Sequence, residues 1–308
     1  MMGVVKTMCY CCLGILGLAS SGASGGDGGN SFCFGLVADI QYGDCDANRA
    51  RFYRNSLSKL EECITAFNEA EVAFTVNLGD SVDRSQNDLA PVLERFAKLR
   101  APLYHITGNH DYKGLKNNET LYRQLGMPGE YYSVLRNGWR LIMLNTNEIA
   151  SYSNCGGTWK EAELKQMEKI IALEKRNNGQ TYNGGVSSKQ LQWLDTQLRE
   201  ARDKGEQVLV FSHHPLYPPI GLTALNDKEI LNILSSYPCV KAVISGHHHA
   251  GAYGEYRGIS CITLEGMIET EKTTAYAVVK VTPEAISIKG QGRAKSRVIP
   301  LSSLGKKD

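Results

Sequence analysis

Six of the seven histidines in this chain sit in three tight groups, His110, His213-His214 and His247-His248-His249; only His105 stands apart. Carboxylates and amides accompany them in five short motifs: Asp39-Ile40-Gln41, Gly79-Asp80-Ser81-Val82-Asp83, Gly108-Asn109-His110-Asp111, His213-His214-Pro215 and Gly246-His247-His248-His249. The donors on offer are carboxylate, amide carbonyl and imidazole, with no thiolate. That set suits Mn²⁺, Fe or Zn²⁺ held with bridging oxygens. Two ions about 3.5–4 Å apart need a shared carboxylate, and Asp80, fixed by the tight Gly79 turn, is the natural bridge. Each motif alone has an ordinary explanation. Asp39 could cap a helix, Asn109 could sit in a turn, and Gly108 and Gly246 could be turn glycines. Together they would need five independent accidents.

The elements that must carry these residues follow from the apolar pattern. FCFGLVA (32–38) reads as a strand ending at Asp39, AFTVNL (73–78) as one ending in Gly79-Asp80, and PLYHIT (102–107) as one ending in Gly108-Asn109-His110-Asp111. QVLVFS (207–212) runs into His213, and VKAVIS (240–245) into Gly246-His247. Between them, Phe52, Leu57, Leu60, Ile64 and Phe67 fit one helix face within 47–70. Residues 89–99 are helical with Pro91 tolerable only near the first turn, and 188–204 form a helix capped by Ser187 or Ser188. YYSVL (131–135) and WRLIMLNT (139–146), joined by Asn137-Gly138, read as a hairpin. Segments 259–266, 275–281 and 285–290 read as a closing antiparallel run. Residues 147–187, with a charged helix near 160–176 and the turn-rich stretch NNGQTYNGG, read as an insertion over one face. The alternation predicts an α/β sandwich with largely parallel sheets inside, in which ligands bind at the carboxyl edge of the strands.

Composition bounds the rest. The chain has 308 residues, 42% hydrophobic and 21% charged, with 34 Lys+Arg against 32 Asp+Glu. That is globular composition, and a formal charge of +2 excludes general nucleic-acid affinity as a function class. No apolar stretch reaches the roughly 18–20 residues of a membrane span. Residues 1–30 differ in kind: Lys6, an apolar run from Met8 to Leu18, then the small-residue stretch SSGASGGDGGN, the order of a secretory signal and linker. The expectation is export, periplasmic or secreted, with a cytoplasmic location as the alternative. The remainder, 31–308, is expected to be a single domain. Six cysteines remain after the first thirty residues. They could pair in an exported protein, but the wide spacing favours small buried hydrophobes.

The motif order resembles the calcineurin-like metallophosphoesterases, with four motifs matching fully and Gln41 standing where histidine is usual. That departure, with VADIQYGD (37–44), RFYRNSL (51–57), YNGGVSSKQLQWL (182–194), LEGMIET (264–270) and KGQGR (289–293), resembles the manganese-dependent ADP-ribose/CDP-alcohol diphosphatase branch. The resemblance implies a four-layer α/β sandwich of two mixed β-sheets flanked by helices. It implies two divalent metal ions, Mn²⁺ foremost, with Fe, Zn or Mg as alternatives. Asp39, Gln41, Asp80 and His249 would hold one ion, and Asp80, Asn109, His213 and His247 the other. It makes His110 a non-ligating catalytic group over the phosphoryl, oriented by Asp83, and leaves His214 and His248 outside the ligand set. The implied reaction is hydrolysis of the diphosphate bond of ADP-ribose, a CDP-alcohol or a related nucleoside diphosphate conjugate, by hydroxide bridging the metals. A phosphomonoesterase, a cyclic-nucleotide phosphodiesterase and a non-catalytic binding protein are the competing functions. The glutamine amide is a weaker donor than imidazole, which tilts one site toward Mn²⁺ over Zn²⁺.

Away from the motifs, Tyr182 is a candidate to stack on a nucleobase, and Trp193 is read as core. Arg49, Arg51 and Arg54 are read as a solvated helix face from which one side chain could reach the site. The expected partner is a small molecule, with no nucleic acid and no stable membrane insertion, and the length is consistent with a monomer.

Overall fold

Strand β1 (Phe32–Val37) is almost wholly buried, as expected of a strand covered on both faces. It pairs in parallel with β2 (Phe74–Asn77), and β2 pairs in parallel with β3 (Leu103–His105). Helix α1 (Ser56–Glu69) makes the first crossover and buries Leu60, Cys63, Ile64 and Phe67. Helix α2 (Leu89–Phe96) makes the second, with Pro91 in its first turn, where the missing N–H costs no helical bond. The computed structural model describes residues 31–301; the expected signal segment, residues 1–30, lies outside the described residues.

After α3 (Asn118–Gln124) the chain enters a second sheet through the hairpin of β4 (Tyr132–Arg136) and β5 (Trp139–Met143). Helix α4 (Trp159–Leu173) and helix α5 (Ser188–Asp203) precede β6 (Gln207–Ser212). Helix α6 (Asp227–Ser235) precedes β7 (Val240–Ser245), followed by β8 (Ala252–Tyr256) and β9 (Ile259–Thr263). Strands β10 (Ala275–Val281), β11 (Ala285–Gly292) and β12 (Arg297–Pro300) then return to the first sheet. The two six-stranded sheets run β12-β11-β10-β1-β2-β3 and β4-β5-β6-β7-β9-β8. Both are mixed, and they lie face to face.

Their shared interior is the main core. Phe34 stacks on Phe74 at 4.9 Å and meets Phe211 of the opposite sheet edge-on at 5.9 Å. The outer face of the first sheet packs on α1 and α2 through Val37, Leu60, Phe67 and Phe96. That of the second packs on α5 and α6 through Val208, Val210, Leu194 and Leu234. The result is helix, sheet, sheet, helix.

Two expectations need correction. The terminal strands are not one antiparallel run: β9 pairs in parallel with β7 in the second sheet, whereas β10 and β11 pair in the first. Apolar alternation reports burial, and says nothing about which sheet a strand joins. The helix expected over 47–70 starts only at Ser56. Before it, Asn48 bridges to Arg51 and Arg51 to Glu269, and Arg49 takes φ of 55°. Arg49, Arg51 and Arg54 therefore share no helix face. Helices α3 and α6 and strands β8 and β12 were not anticipated; three of these four run to seven residues or fewer, too short for a clear period. All six cysteines of the described residues are free thiols.

Candidate metal centre

Parallel strands deliver the motifs to one edge. Asp39 follows β1 by two residues, Asp80 follows β2 by three, Asn109 follows β3 by four, His213 directly follows β6, and His247 follows β7 by two. The first two loops are zipped together, Asp39 N donating to Gly79 O at 3.1 Å and Gln41 N to Asp80 O at 2.8 Å. Asp39, Gln41, Asp80 and His247 all adopt positive φ, between 42° and 66°. Such backbone is costly for residues with a Cβ and concentrates at functional sites. Gly108 is required sterically, since a Cβ there would overlap the Asp80 carboxylate.

A buried carboxylate outside the expected set holds these loops. Asp111 accepts N–H bonds from Asp80, Ser81, Val82 and Gly108 at 2.8–3.2 Å. Burial and the neighbouring Asp80 charge push its carboxyl upward, against four donors that favour the acceptor form. Burial also works against Asp80, but the His213 and His110 imidazoles outweigh it and hold Asp80 well below the usual carboxylate range.

The residues expected to bind metal converge. Asp80, His213 and His247 each offer a ligand atom within 4.8 Å of the others. Asn109 Oδ1 lies 3.2 Å and Asp80 Oδ2 3.5 Å from His213 Nε2. On the other side Gln41 Nε2 donates to Asp80 Oδ2 at 2.9 Å, and His249 Nε2 lies 3.5 Å from Asp39 Oδ1. Asp39 is not free of other partners, since both its oxygens accept from His247 N at 3.1 Å.

Each of the three imidazoles has one nitrogen committed to an acceptor. His213 Nδ1 is 2.8 Å from the Leu78 carbonyl, His249 Nδ1 is 2.8 Å from Glu269 Oε1, and His247 Nε2 is 3.0 Å from Asn183 Oδ1. Asn183 already donates its amide to Asn178 O and Gly221 O, which fixes Oδ1 as the acceptor. A carbonyl or carboxylate can only accept, so these nitrogens carry hydrogens and leave the opposite nitrogens to meet the centre. Burial lowers both the His213 and His249 imidazoles, but the carboxylates that their Nε2 atoms face raise them to about 9, and a cation would take the place of the proton held there. Gln41 Oε1, buried and without a hydrogen-bond partner, is a further oxygen awaiting one. The residues fit a pair of divalent ions.

His110 sits beside this cluster. Its N–H donates to Asp80 Oδ1 at 2.8 Å, and its Nδ1 lies 2.8 Å from the Asp83 carbonyl and 3.1 Å from Asp83 Oδ1. Burial lowers the His110 imidazole, but Asp80 and Asp83 more than compensate and leave it raised. His214 points away, held by Thr146 Oγ1 at 2.9 Å and the Tyr182 carbonyl at 3.1 Å. His248 lines the cavity, and among the described residues its side chain makes no hydrogen bond.

Above the cluster opens a cavity of about 740 Å³, with Arg51, Tyr182, Leu222 and Arg293 on its walls. Tyr182 is exposed, its ring 5.9 Å from that of His247. Trp193 is half-buried against Tyr131, at 4.8 Å. Of the arginines, Arg51 reaches the cavity and Arg54 instead pairs with Asp44 and Asp46, both at 2.7 Å. Glu269, Asn183 and Asp111 were not anticipated as part of the site. Each lies inside a segment or motif noted for its resemblance, but its partner is remote in sequence.

Comparison with known proteins agrees with this geometry. The family model described as calcineurin-like phosphoesterase matches residues 34–251. The manganese-dependent ADP-ribose/CDP-alcohol diphosphatase of Arabidopsis thaliana is 29% identical over 303 residues, covering 86% of this chain and 96% of the relative. The human protein of the same name is 29% identical over 318 residues, covering 87% and 92%. Among solved structures, a dimetal phosphatase from Danio rerio superposes with a TM-score of 0.79 at 27% identity, covering 88% of this chain and 99% of that one.

Proposed function

Because the chain belongs to the calcineurin-like phosphoesterase family, we propose that its centre hydrolyses the diphosphate bond of a nucleoside diphosphate conjugate such as ADP-ribose or a CDP-alcohol. The relatives' names point to that substrate class and to Mn²⁺. The observation that carries the reading is the convergence of ligand atoms from Asp80, His213 and His247, with Gln41 Oε1 buried and without a hydrogen-bond partner.

Asp39, Gln41, Asp80 and His249 would hold one ion, and Asp80, Asn109, His213 and His247 the other. When bound, two such ions supply Lewis acidity toward water and phosphoryl oxygens. The protein's part is positioning. Asp80 is locked by the His110 N–H and by the turn that Asp111 pins, so the shared carboxylate cannot swing. Leu78, Asn183 and Glu269 fix which imidazole nitrogen faces the centre. His110, tethered through Nδ1 to Asp83, has Nε2 left to meet the oxygen of the departing phosphate ester. Arg51 and Arg293 on the cavity wall suit a substrate carrying two phosphates, and Tyr182, which also lines the cavity, is read as the surface for the base.

The test is an assay of metal-stripped protein reloaded with Mn²⁺, Mg²⁺ or Zn²⁺ against ADP-ribose, CDP-choline, cyclic AMP and p-nitrophenyl phosphate. AMP with ribose 5-phosphate, or CMP with phosphocholine, are the expected products with Mn²⁺. Cleavage confined to p-nitrophenyl phosphate or to cyclic AMP would replace the reading by a monoesterase or a cyclic-nucleotide phosphodiesterase. No turnover with any metal would make this a binding protein.

The unit is read as a monomeric single domain, 31–308, with an insertion at about 147–187, exported by residues 1–30. No helix of the described residues is long and apolar enough to cross a membrane. Fractionation of the tagged full chain tests export.

A further inference from the structure

Helix α1 turns a lysine inward. Lys59 is 2% exposed, and among the described residues its ammonium forms no ion pair. Four consecutive backbone carbonyls surround it instead: Met267 at 2.5 Å, Ile268 at 3.4 Å, Glu269 at 3.3 Å and Thr270 at 3.0 Å. Four carbonyl dipoles aimed at one point repel one another, and the cation is what lets them converge. Burying an ammonium is expensive unless it is fully hydrogen-bonded, so this contact is closely specified. Burial, with Arg293 nearby, pulls the amine down to about 8, still cationic at neutral pH.

Three of these four residues bond to one half of the metal centre. Ile268 N donates to the Asp39 carbonyl at 2.9 Å and Met267 N to the Ala38 carbonyl at 3.0 Å. Glu269 Oε1 receives His249 Nδ1 at 2.8 Å. Among the described residues, no hydrogen bond or ion pair links 267–270 to Asn109, His213 or His247. We propose that Lys59 is a positioning residue for one metal ion alone: by gathering the carbonyls of 267–270 it aims Glu269 at His249 and seats Asp39. This rests on the two-ion reading above. It adds that the Asp39–Gln41–His249 half is tuned from α1, through a loop more than 200 residues away.

Calorimetric titration of the metal-stripped full chain with Mn²⁺, alongside the paramagnetic resonance of the coupled ion pair, reads the effect. Wild type is expected to take two ions. Lys59→Met is expected to keep one at wild-type affinity and to weaken the other about 10- to 100-fold, the usual range for lost support of a ligand. The coupled signal should disappear at limiting Mn²⁺ and return at saturation, with kcat recovering alongside it; Lys59→Arg should restore part of the affinity. Unchanged affinity for both ions, or equal loss at both, overturns the proposal. Should Lys59→Met fail to fold, Glu269→Gln decides: selective loss of one ion supports the relay, and two unaltered ions overturn it. A wild type that binds fewer than two ions removes the two-ion reading itself, before any variant is compared.

Discussion

At the scale of single residues, orientation does more than identity. Imidazoles are common buried side chains, but three with one nitrogen tied to a pure acceptor have the orientation that the proposed ligand set needs. His110 differs, because its bonds go to Asp80 and Asp83. Replacing it with alanine should leave Mn²⁺ binding by calorimetry intact and lower kcat by about 10²–10⁴, the range for a lost acid–base group. Loss of an ion instead would reassign His110 as a ligand. Gln41 gives a second residue-scale test. Its amide oxygen is neutral and harder than imidazole, so Gln41→His should shift the ratio of Zn²⁺- to Mn²⁺-supported activity upward by about tenfold or more. An unaltered ratio across a metal titration would make the amide incidental.

At the scale of elements, each strand brings its motif to the edge, and loop-to-loop bonds then set the geometry. Asp111 is the clearest case. It belongs to the third motif, yet its oxygens bind the backbone of the second, at Asp80, Ser81 and Val82. Asparagine at 111 keeps the size but replaces one acceptor oxygen by a donor facing N–H groups. The expected loss is about 2–4 kcal/mol of stability by denaturant titration, with weaker binding of both ions because Asp80 is shared. A stable variant with one ion bound normally would mean that the turns hold themselves. The segment 147–187 behaves comparably. It packs Ile149, Leu164 and Ile171 against Leu225 and sends Asn183 back to His247, so a segment outside the five histidine and carboxylate motifs orients a ring of one of them.

At the scale of the molecule, stacking two sheets with their parallel strand ends on the same side turns five separate loops into one cavity floor. The same burial leaves a pH signature away from the centre. His105, at the end of β3, is held neutral: burial drops its imidazole to about 4, and Asn77 Nδ2 lies 3.2 Å from its Nδ1. The unfolded chain takes up this proton near pH 6.5 and the folded one does not, so stability is full above that value and falls as pH drops toward about 4. The loss expected from this residue is roughly 3 kcal/mol. Proton NMR of the metal-free protein should show the His105 ring titrating below about pH 5; titration near 6.5 would contradict the account.

The order of the motifs, their donor chemistry and the strands that present them were legible in the sequence, because a buried strand followed by Gly-Asp or Gly-His is a local pattern. The Gly79-Asp80 turn at the end of β2 could be read in the same way. Only the tertiary structure decided that Glu269 faces His249, that Asn183 faces His247, that Asp111 ties two loops, and that β9 parts company with β10. Those contacts join residues 20 to 64 positions apart, or depend on which sheet a strand enters. A hydrogen-bond partner brought close by the packing of two sheets leaves no periodicity in either segment, since neither residue's neighbours along the chain feel the contact.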